Sequence, residues 1–170
     1  MSGDSSLEPR PVSRSLSTLA RWMGPADANT AGFVHGGTVM KMCDETAGLV
    51  AVRHSGLRVV TAAMDRMTFI EPVAIGDLLT CHGSVNAAWR SSLEVGVRVE
   101  AESPHSAPGV RRHTSTAYLT MVALDEHGRP TAIPGLVTES ETEERRCREA
   151  ELRRSNRLAE RDQILSDRGA

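Results

Sequence analysis

The distribution of apolar residues predicts one long helix early in the chain. From about Gly37 to His54, apolar and small side chains cover nearly every helical face. A helix that is apolar on all sides is typical of a buried element. The Ser55-Gly56 pair ends the segment in the way that helices commonly end. We therefore expect a buried central helix.

Four segments after this helix have the pattern of β-strands. The clearest covers residues 92–102, where apolar residues alternate with polar ones from Leu93 to Ala101. This alternation is typical of a half-buried antiparallel strand. The other three segments are residues 58–70, 78–89 and 111–124. Before the helix, residues 15–23 fit a strand or a short helix, and their Ser, Thr and Trp residues weakly favour a strand.

One buried helix followed by antiparallel strands predicts an α+β fold in which a curved sheet packs against the helix. A sheet covers only one side of an all-apolar helix. We therefore expect a second copy of the chain to cover the other side, most simply in a two-fold dimer.

We divide the chain into three parts. Residues 1–14 are polar and are predicted to be a mobile N-terminal segment. Residues 15–136 form the predicted domain, and residues 137–170 form a charged, helical tail with Glu-before-Arg pairs at helical spacing. We favour a solvated tail helix, and the alternative is a tail that faces a partner or the phosphates of a ligand.

Composition and charge narrow the function classes. The chain has 170 residues, 39% of them hydrophobic, which suits one core. Its net charge of −2 gives no basic footprint for nucleic acid. The three cysteines match neither a disulfide framework nor zinc spacing, so we predict a cytoplasmic protein without a metal site. With no apolar signal core and no run of membrane-spanning length, we also predict no membrane partner.

The predicted central helix carries a carboxylate, Asp44. Helical spacing places it on one face with Met40, Ala47, Gly48 and Ala51. An ionised carboxylate is costly in such surroundings unless it is paired or used. Asp44 is therefore a satisfied structural carboxylate, a residue that faces solvent, or a catalytic group.

These residues together resemble the hotdog-fold acyl-CoA thioesterases, specifically the cytosolic acyl-CoA hydrolase branch, over about residues 15–136. The order and spacing of the matching pieces make the resemblance specific. The pieces are Asn29, Gly36-Gly37, Asp44 in Val39-Met40-Lys41-Met42-Cys43-Asp44, Thr61-Ala62, Phe69 with Pro72, Gly76-Asp77, and Arg90-Ser91-Ser92-Leu93-Glu94-Val95.

The resemblance implies a hotdog fold, in which a curved antiparallel sheet wraps one long helix. It also implies hydrolysis of a fatty or other acyl-CoA to a free acid and coenzyme A, with no metal or redox cofactor. In this family an Asp on the helix is the general base or nucleophile, and an Asn before the Gly pair positions the water or the carbonyl. By position these residues are Asp44 and Asn29, supplied by opposite subunits of a dimer or of a tetramer or hexamer built from dimers.

The start of the helix is a second predicted part of the site. Free backbone N–H groups and the positive end of the helix dipole favour a developing oxyanion there. We predict that the N–H of Gly37 is this donor and that Gly36 lets the thioester approach closely. His35 adjoins the pair, and we place it among the substrate-binding residues rather than as the base.

Three further predictions concern the substrate and competing functions. The Arg90-Ser91-Ser92 run stands where the family commonly contacts coenzyme A. The His-Gly-Gly run is also common in phenylacetyl-CoA-type thioesterases, so that substrate class stays open. A non-hydrolytic acyl-CoA sensor or scaffold is the other alternative. A dehydratase or hydratase would need His35 as its base, and Asp44 argues against it.

Overall fold

The computed structural model describes residues 7–65, 67–107 and 109–169. It contains two α-helices, eight strands and two short 3₁₀ turns, Val12–Arg14 and Pro25–Asp27. In chain order the helices and strands are β1 (Arg10–Pro11), β2 (Ser17–Trp22), α1 (Gly36–Ser55), β3 (Arg58–Met64), β4 (Thr68–Phe69), β5 (Leu78–Ala88), β6 (Ser92–Glu102), β7 (Arg111–Leu124), β8 (Leu136–Val137) and α2 (Glu141–Asp167).

Six strands form one antiparallel sheet with the order β2-β5-β6-β7-β3, and β4 also pairs with β7. β1 and β8 form a separate parallel pair. The sheet packs against α1, which confirms the predicted α+β fold with a long central helix. Residues 17–22 form strand β2, which confirms the alternative that their composition weakly favours.

Helix α1 begins one residue before the predicted start and ends one residue after the predicted end. Its sheet-facing side is closely packed, because a Cβ on Gly83 of β5 would lie 2.8 Å from Val50 Cγ2 and 2.9 Å from Thr46 Cγ2. Gly56 ends the helix with a φ of 75°, a left-handed conformation that glycine adopts without strain.

The opposite side of α1 is open in the single chain. Met40 and Val52 are 42% and 45% exposed, whereas Ala47 and Ala51 are fully buried. The predicted common face is therefore present in the helix, but its members differ in burial, since Ala47 and Ala51 are buried whereas Asp44 is half-buried and Met40 is exposed. The open side is mixed, because Met40 and Val52 lie on it together with the exposed Lys41–Glu45 ion pair. An uncovered helix side that carries exposed apolar residues is consistent with the predicted dimer.

Two strand predictions are corrected. Residues 58–70 do not form one strand, since the chain leaves the sheet after Met64 and pairs again at Thr68. The alternation in β6 is confirmed on its inner side, but Glu94 on its outer side is fully buried. The reason is that α2 covers that part of the sheet and binds the Glu94 carboxylate.

Two segments outside the predicted domain, near residues 10–12 and in the first half of the tail helix, lie against it. Residues 1–6 of the predicted mobile segment are outside the described residues. From Arg10 onward the chain pairs with β8, and Val12 is buried. The tail is helical from Glu141 to Asp167, and the boundaries at residues 14 and 136 stay predictions. Within the described residues, neither helix is long and apolar enough to cross a membrane.

Candidate active site on the central helix

Asp44 is hydrogen-bonded from the neighbouring edge of the sheet. The Thr61 hydroxyl on β3 donates to Asp44 Oδ1 at 2.5 Å, and its Oγ1 also lies 3.6 Å from Met121 Sδ. No other side chain in residues 7–65, 67–107 and 109–169 hydrogen-bonds to this carboxylate. One oxygen is therefore fixed by a neutral donor, and Oδ2 is left to accept a proton from a water molecule.

The start of α1 differs from the prediction in one respect. His35 is the N-cap residue, and its Nδ1 accepts the Gly37 N–H at 2.9 Å. The donor predicted for the oxyanion is therefore already engaged. The His35 ring bonds the backbone of the first helical turn, and a neutral ring in this arrangement carries its proton on Nε2.

Gly36 holds the free donor of this turn. Among the described residues, its N–H has no hydrogen-bond partner, whereas the N–H groups of Thr38 and Val39 both donate to the His35 carbonyl. A Cβ on Gly36 would lie 3.3 Å from Cζ of Phe69. Glycine thus allows the close approach of the Phe69 ring, which a larger residue would push away by a few tenths of an ångström.

Asn29 organises the loop before the helix. Its Oδ1 accepts the N–H groups of Ala31 at 2.8 Å and Phe33 at 3.2 Å, while its backbone N–H donates to the Phe33 carbonyl at 2.7 Å. Gly32 turns the chain inside this loop with a φ of 83°. The carboxamide oxygen is therefore used within the loop, which leaves the Nδ2 amide as the donor for a substrate or a water.

The site residues form two separate groups within one chain. Asp44 lies eight residues after Gly36, which at 1.5 Å per residue is about 12 Å along the helix axis. A single thioester carbonyl cannot contact both groups across that separation. One group contains Asp44 and Thr61, and the other contains Asn29 and Gly36.

The predicted coenzyme A contacts lie at the same end of the sheet as the carboxylate group. The turn is closed by the Trp89 N–H, which donates to the Ser92 carbonyl at 2.7 Å. The next residue, Leu93, is opposite Met121, which in turn is opposite Thr61. Two interstrand spacings place this turn about 10 Å from β3. The structure thus places residues 90–92 at the level of Thr61, two strands away from it.

Apolar side chains flank the start of the helix. Phe33 and Met40 are 44% and 42% exposed, and Phe69 and Ile70 are 48% and 59% exposed. Large exposed apolar side chains grouped beside polar site residues are typical of a ligand or subunit contact.

Cys43, which precedes Asp44, is not a second nucleophile. It is fully buried on the sheet side of α1. A hydrogen bond with Cys81 raises the pKa of the Cys43 thiol far above its usual range, and burial raises it further. The thiol therefore stays protonated and packs as a small apolar group.

Thr61 is the site residue that the sequence reasoning did not assign. The Thr61-Ala62 pair belongs to the resemblance, but β-strand periodicity does not show which side chain reaches the helix. The regular pairing of β3 with β7 before the register shift places Thr61 opposite the buried Met121 and so sets this orientation. In the described part of the chain, no group of three His, Cys, Asp or Glu side chains is arranged to hold a metal ion.

Comparison with known proteins identifies the family. The model of the thioesterase superfamily matches residues 31–107. The cytosolic acyl coenzyme A thioester hydrolase of Rattus norvegicus is 38% identical over 146 residues, which are 86% of this chain and 38% of that protein. An acyl-CoA thioester hydrolase of Bacillus subtilis, named as uncharacterized, is 37% identical over 119 residues, covering 70% of this chain and 68% of its own length.

The chain belongs to the thioesterase superfamily. This confirms the family predicted from its residues. The chain spans 38% of the length of the rat relative. An apo-hexameric acyl-CoA thioesterase superimposes with a TM-score of 0.85 at 37% identity, covering 90% of this chain and 97% of that one. The hotdog architecture of this superfamily member is therefore confirmed as well.

A second solved structure bears on the site. The Staphylococcus aureus acyl-CoA hydrolase, in complex with butyryl coenzyme A, coenzyme A and coenzyme A disulfide, has a TM-score of 0.84 at 31% identity and covers 95% of this chain and 99% of its own. Solved variants of that protein change one Asn, one Asp and one Thr to Ala. These three residues follow one another in the same order and at the same spacing as Asn29, Asp44 and Thr61.

Proposed function

We propose that this protein hydrolyses acyl-CoA thioesters to a free carboxylic acid and coenzyme A. The observation that carries the proposal is the Asp44 carboxylate at the open side of α1, held by the Thr61 hydroxyl at 2.5 Å. The names of the rat and Bacillus subtilis relatives support the same reaction. The coenzyme A complexes of the Staphylococcus aureus protein support the substrate class.

Asp44 acts as a general base in this proposal. Its Oδ2 takes a proton from a water molecule while the water oxygen forms a bond to the thioester carbon. The carbon–sulfur bond then breaks, and the protonated carboxyl returns its proton to the coenzyme A thiolate. Thr61 donates to Oδ1 throughout and so keeps Oδ2 directed at the water. A general base of this kind contributes about 10² to 10⁴ in rate.

The oxyanion donors come from the other group of residues. We assign this role to the free N–H of Gly36 in place of Gly37, since the Gly37 N–H binds His35. The Asn29 amide is placed to donate to the water or to the carbonyl. His35 supports the turn, and its ring lines the approach to the Gly pair.

Each site is shared between two chains in this proposal. The separation of about 12 Å between Gly36 and Asp44 along one helix supports it. The open side of α1 supports it as well, because a second copy packed there brings its own helix start towards Asp44. Hexameric relatives support an assembly larger than one chain, and we propose that the dimer is its functional unit.

We propose that Arg90, Ser91 and Ser92 bind the coenzyme A part of the substrate on the Asp44 side. We also propose that the reaction needs no metal or redox cofactor and takes place in the cytoplasm, where the named rat relative is found. Dialysis against EDTA should leave the rate of thioester hydrolysis unchanged. Loss of activity that returns with a divalent cation would contradict the metal-free mechanism.

The experiment that tests the function is thiol release from a panel of acyl-CoAs, from acetyl-CoA to palmitoyl-CoA and including phenylacetyl-CoA. Wild-type protein should release one thiol for each acid formed. Saturable binding of acyl-CoA without thiol release would show a sensor or scaffold instead. A clear preference for phenylacetyl-CoA would place the substrate in the aryl class.

A further inference from the structure

Helix α2 contacts the sheet directly behind the candidate site. Thr61, Met121 and Leu93 are opposite one another on β3, β7 and β6. The next set along these strands is Ala63, Thr120 and Glu94. Since side chains alternate along a strand, the first set faces α1 and Glu94 faces α2.

Between these two sets, β3 is irregular. The register shifts between Thr61 and Ala63, so that Ala62 is an extra residue with no partner on β7. A bulge of this kind locally disrupts the ladder and redirects a neighbouring side chain. β3 is also the last strand of the sheet, so among the described strands β7 is its one pairing partner.

Arg153 of α2 fixes the outer face beside this bulge. Its Nε and Nη2 donate to the two oxygens of Glu94 at 3.1 and 2.7 Å, and Asn86 Nδ2 donates to Glu94 Oε1 at 3.0 Å. The guanidinium also stacks on the Tyr118 ring at 3.7 Å from its centroid. Glu94 is fully buried, so these directional bonds are shielded from water.

Arg157, one helical turn later, fixes the strand just past the bulge. Its Nη1 donates to the two carboxylate oxygens of Asp65 at 3.0 and 2.8 Å. The Asp65 backbone N–H donates to the Tyr118 carbonyl at 2.8 Å, so the attachment to β7 continues one residue past the end of β3. Arg157 therefore holds the chain just past the irregular segment, and Arg153, on the same helix, holds β6 and β7 at the same level of the sheet.

We propose that Arg153 and Arg157 are positioning residues, which hold the β3 bulge so that Thr61 stays in hydrogen-bonding contact with Asp44. The inference rests on the proposed thioesterase function, because its catalytic consequence is expressed through Asp44. Neither arginine contacts the substrate. Their effect on the reaction passes through the backbone of residues 61–65.

Loss of Arg157 should lower kcat and leave KM nearly unchanged. The coenzyme A contacts proposed for residues 90–92 lie in a different turn, so ground-state binding does not depend on the bulge. A displacement of about 1 Å in a catalytic group can cost up to about 10² in rate. We expect Arg157→Gln to reduce kcat about tenfold, within that range.

The test is a double-mutant cycle between Arg157→Gln and Thr61→Ala, with kcat and KM measured for the best acyl-CoA. If the arginine acts through Thr61, Arg157→Gln should change kcat less than twofold in the Thr61→Ala background. The same tenfold loss in both backgrounds, or no loss in either, would overturn the proposal.

Two further variants distinguish a positioning role from a general loss of folding stability. Arg161→Gln is the matched control, because Arg161 lies on the same helix and pairs with the exposed Asp162. It should behave as wild type. Arg153→Gln would leave Glu94 buried without its cation and risk misfolding. Arg153→Met combined with Glu94→Gln removes both charges instead, and it should lower kcat while thermal unfolding shows a folded protein.

A readout that does not depend on turnover completes the test. Amide hydrogen exchange in residues 61–65 should be faster in Arg157→Gln than in wild type or Arg161→Gln. If wild-type protein releases no thiol, the proposed function fails, but the exchange still tests the contact between α2 and the bulge. Unchanged exchange in Arg157→Gln would overturn the clamping role by itself.

Discussion

The two helices of this protein pack on opposite faces of one sheet and do so with different chemistry. α1 meets fully buried apolar side chains of β6, from Leu93 to Val99. In the described part of α2, Ala150 is the one buried residue, and Arg153 and Arg157 make the ionic contacts with the sheet. Apolar burial is non-directional, whereas charge-assisted hydrogen bonds fix geometry. α1 therefore supplies most of the stability, and α2 supplies alignment.

The largest expected effect is on the catalytic rate, because the proposed base lies on α1. Asp44→Asn on α1 keeps the shape of the side chain but removes the base, so kcat should fall by about 10² or more. Binding of acyl-CoA should persist, because the coenzyme A contacts are unchanged. Thiol release and equilibrium binding of the same acyl-CoA measure the two effects. Near-normal turnover in a folded Asp44→Asn protein would remove Asp44 from the mechanism.

The second difference is in stability. Leu93 is fully buried towards α1, so Leu93→Ala should lower the free energy of unfolding by about 2–5 kcal/mol. Arg154 of α2 lies over the Trp89 ring at 4.7 Å from its centroid, and Arg154→Ala should cost about 0.5–1 kcal/mol. Urea denaturation of both variants gives the comparison. Equal losses of unfolding free energy in the two variants would show that the two faces of the sheet contribute equally to stability.

The smallest expected effect concerns pH at the C-terminal end of α1. His54 is fully buried, its Nε2 bonds the Pro134 carbonyl at 3.2 Å, and its Nδ1 has no described partner. Burial holds the pKa of His54 below the usual value of 6.5. Histidine is therefore neutral in the folded state but gains a proton in the unfolded state as the pH falls below about 6.5.

Protonation of His54 in the unfolded state therefore costs the folded state no stability above about pH 6.5. As the pH falls from there towards the lowered pKa of His54, the free energy of unfolding decreases. His54→Gln, which keeps a donor for Pro134, should reduce the loss of unfolding free energy between pH 7 and pH 5. His105→Gln, at an exposed loop position, is the control. If wild type and His54→Gln lose stability equally over this range, burial of His54 does not control the pH dependence.

Periodicity predicted the inner layer of the molecule well. The apolar pattern gave α1 to within one residue at each end, and the alternation in β6 identified its inward side chains. These signals work because burial against a single face imposes a simple period. The resemblance to the family identified Asn29 and Asp44 as candidate catalytic residues, and their roles stay proposals.

The features that the sequence did not predict depend on contacts between distant parts of the chain. Glu94 has the pattern of a solvent-facing residue, and its burial follows from Arg153, 59 residues away. The engagement of the Gly37 N–H depends on the orientation of the His35 ring. Thr61 reaches Asp44 because the register of β3 with β7 places it opposite the buried Met121, and no local composition signals this register. Hydrogen-bond geometry of this kind has no sequence period.

The measurement that tests the central claim most directly is complementation between two inactive variants. Asn29→Ala and Asp44→Ala should each be nearly inactive alone. After the two are unfolded and refolded together, random pairing gives roughly half heterodimers, and each heterodimer contains one intact site, so activity should return to about a quarter of wild type. If subunit exchange is verified by mass spectrometry and the mixture stays inactive, Asn29 and Asp44 do not form a site across two chains.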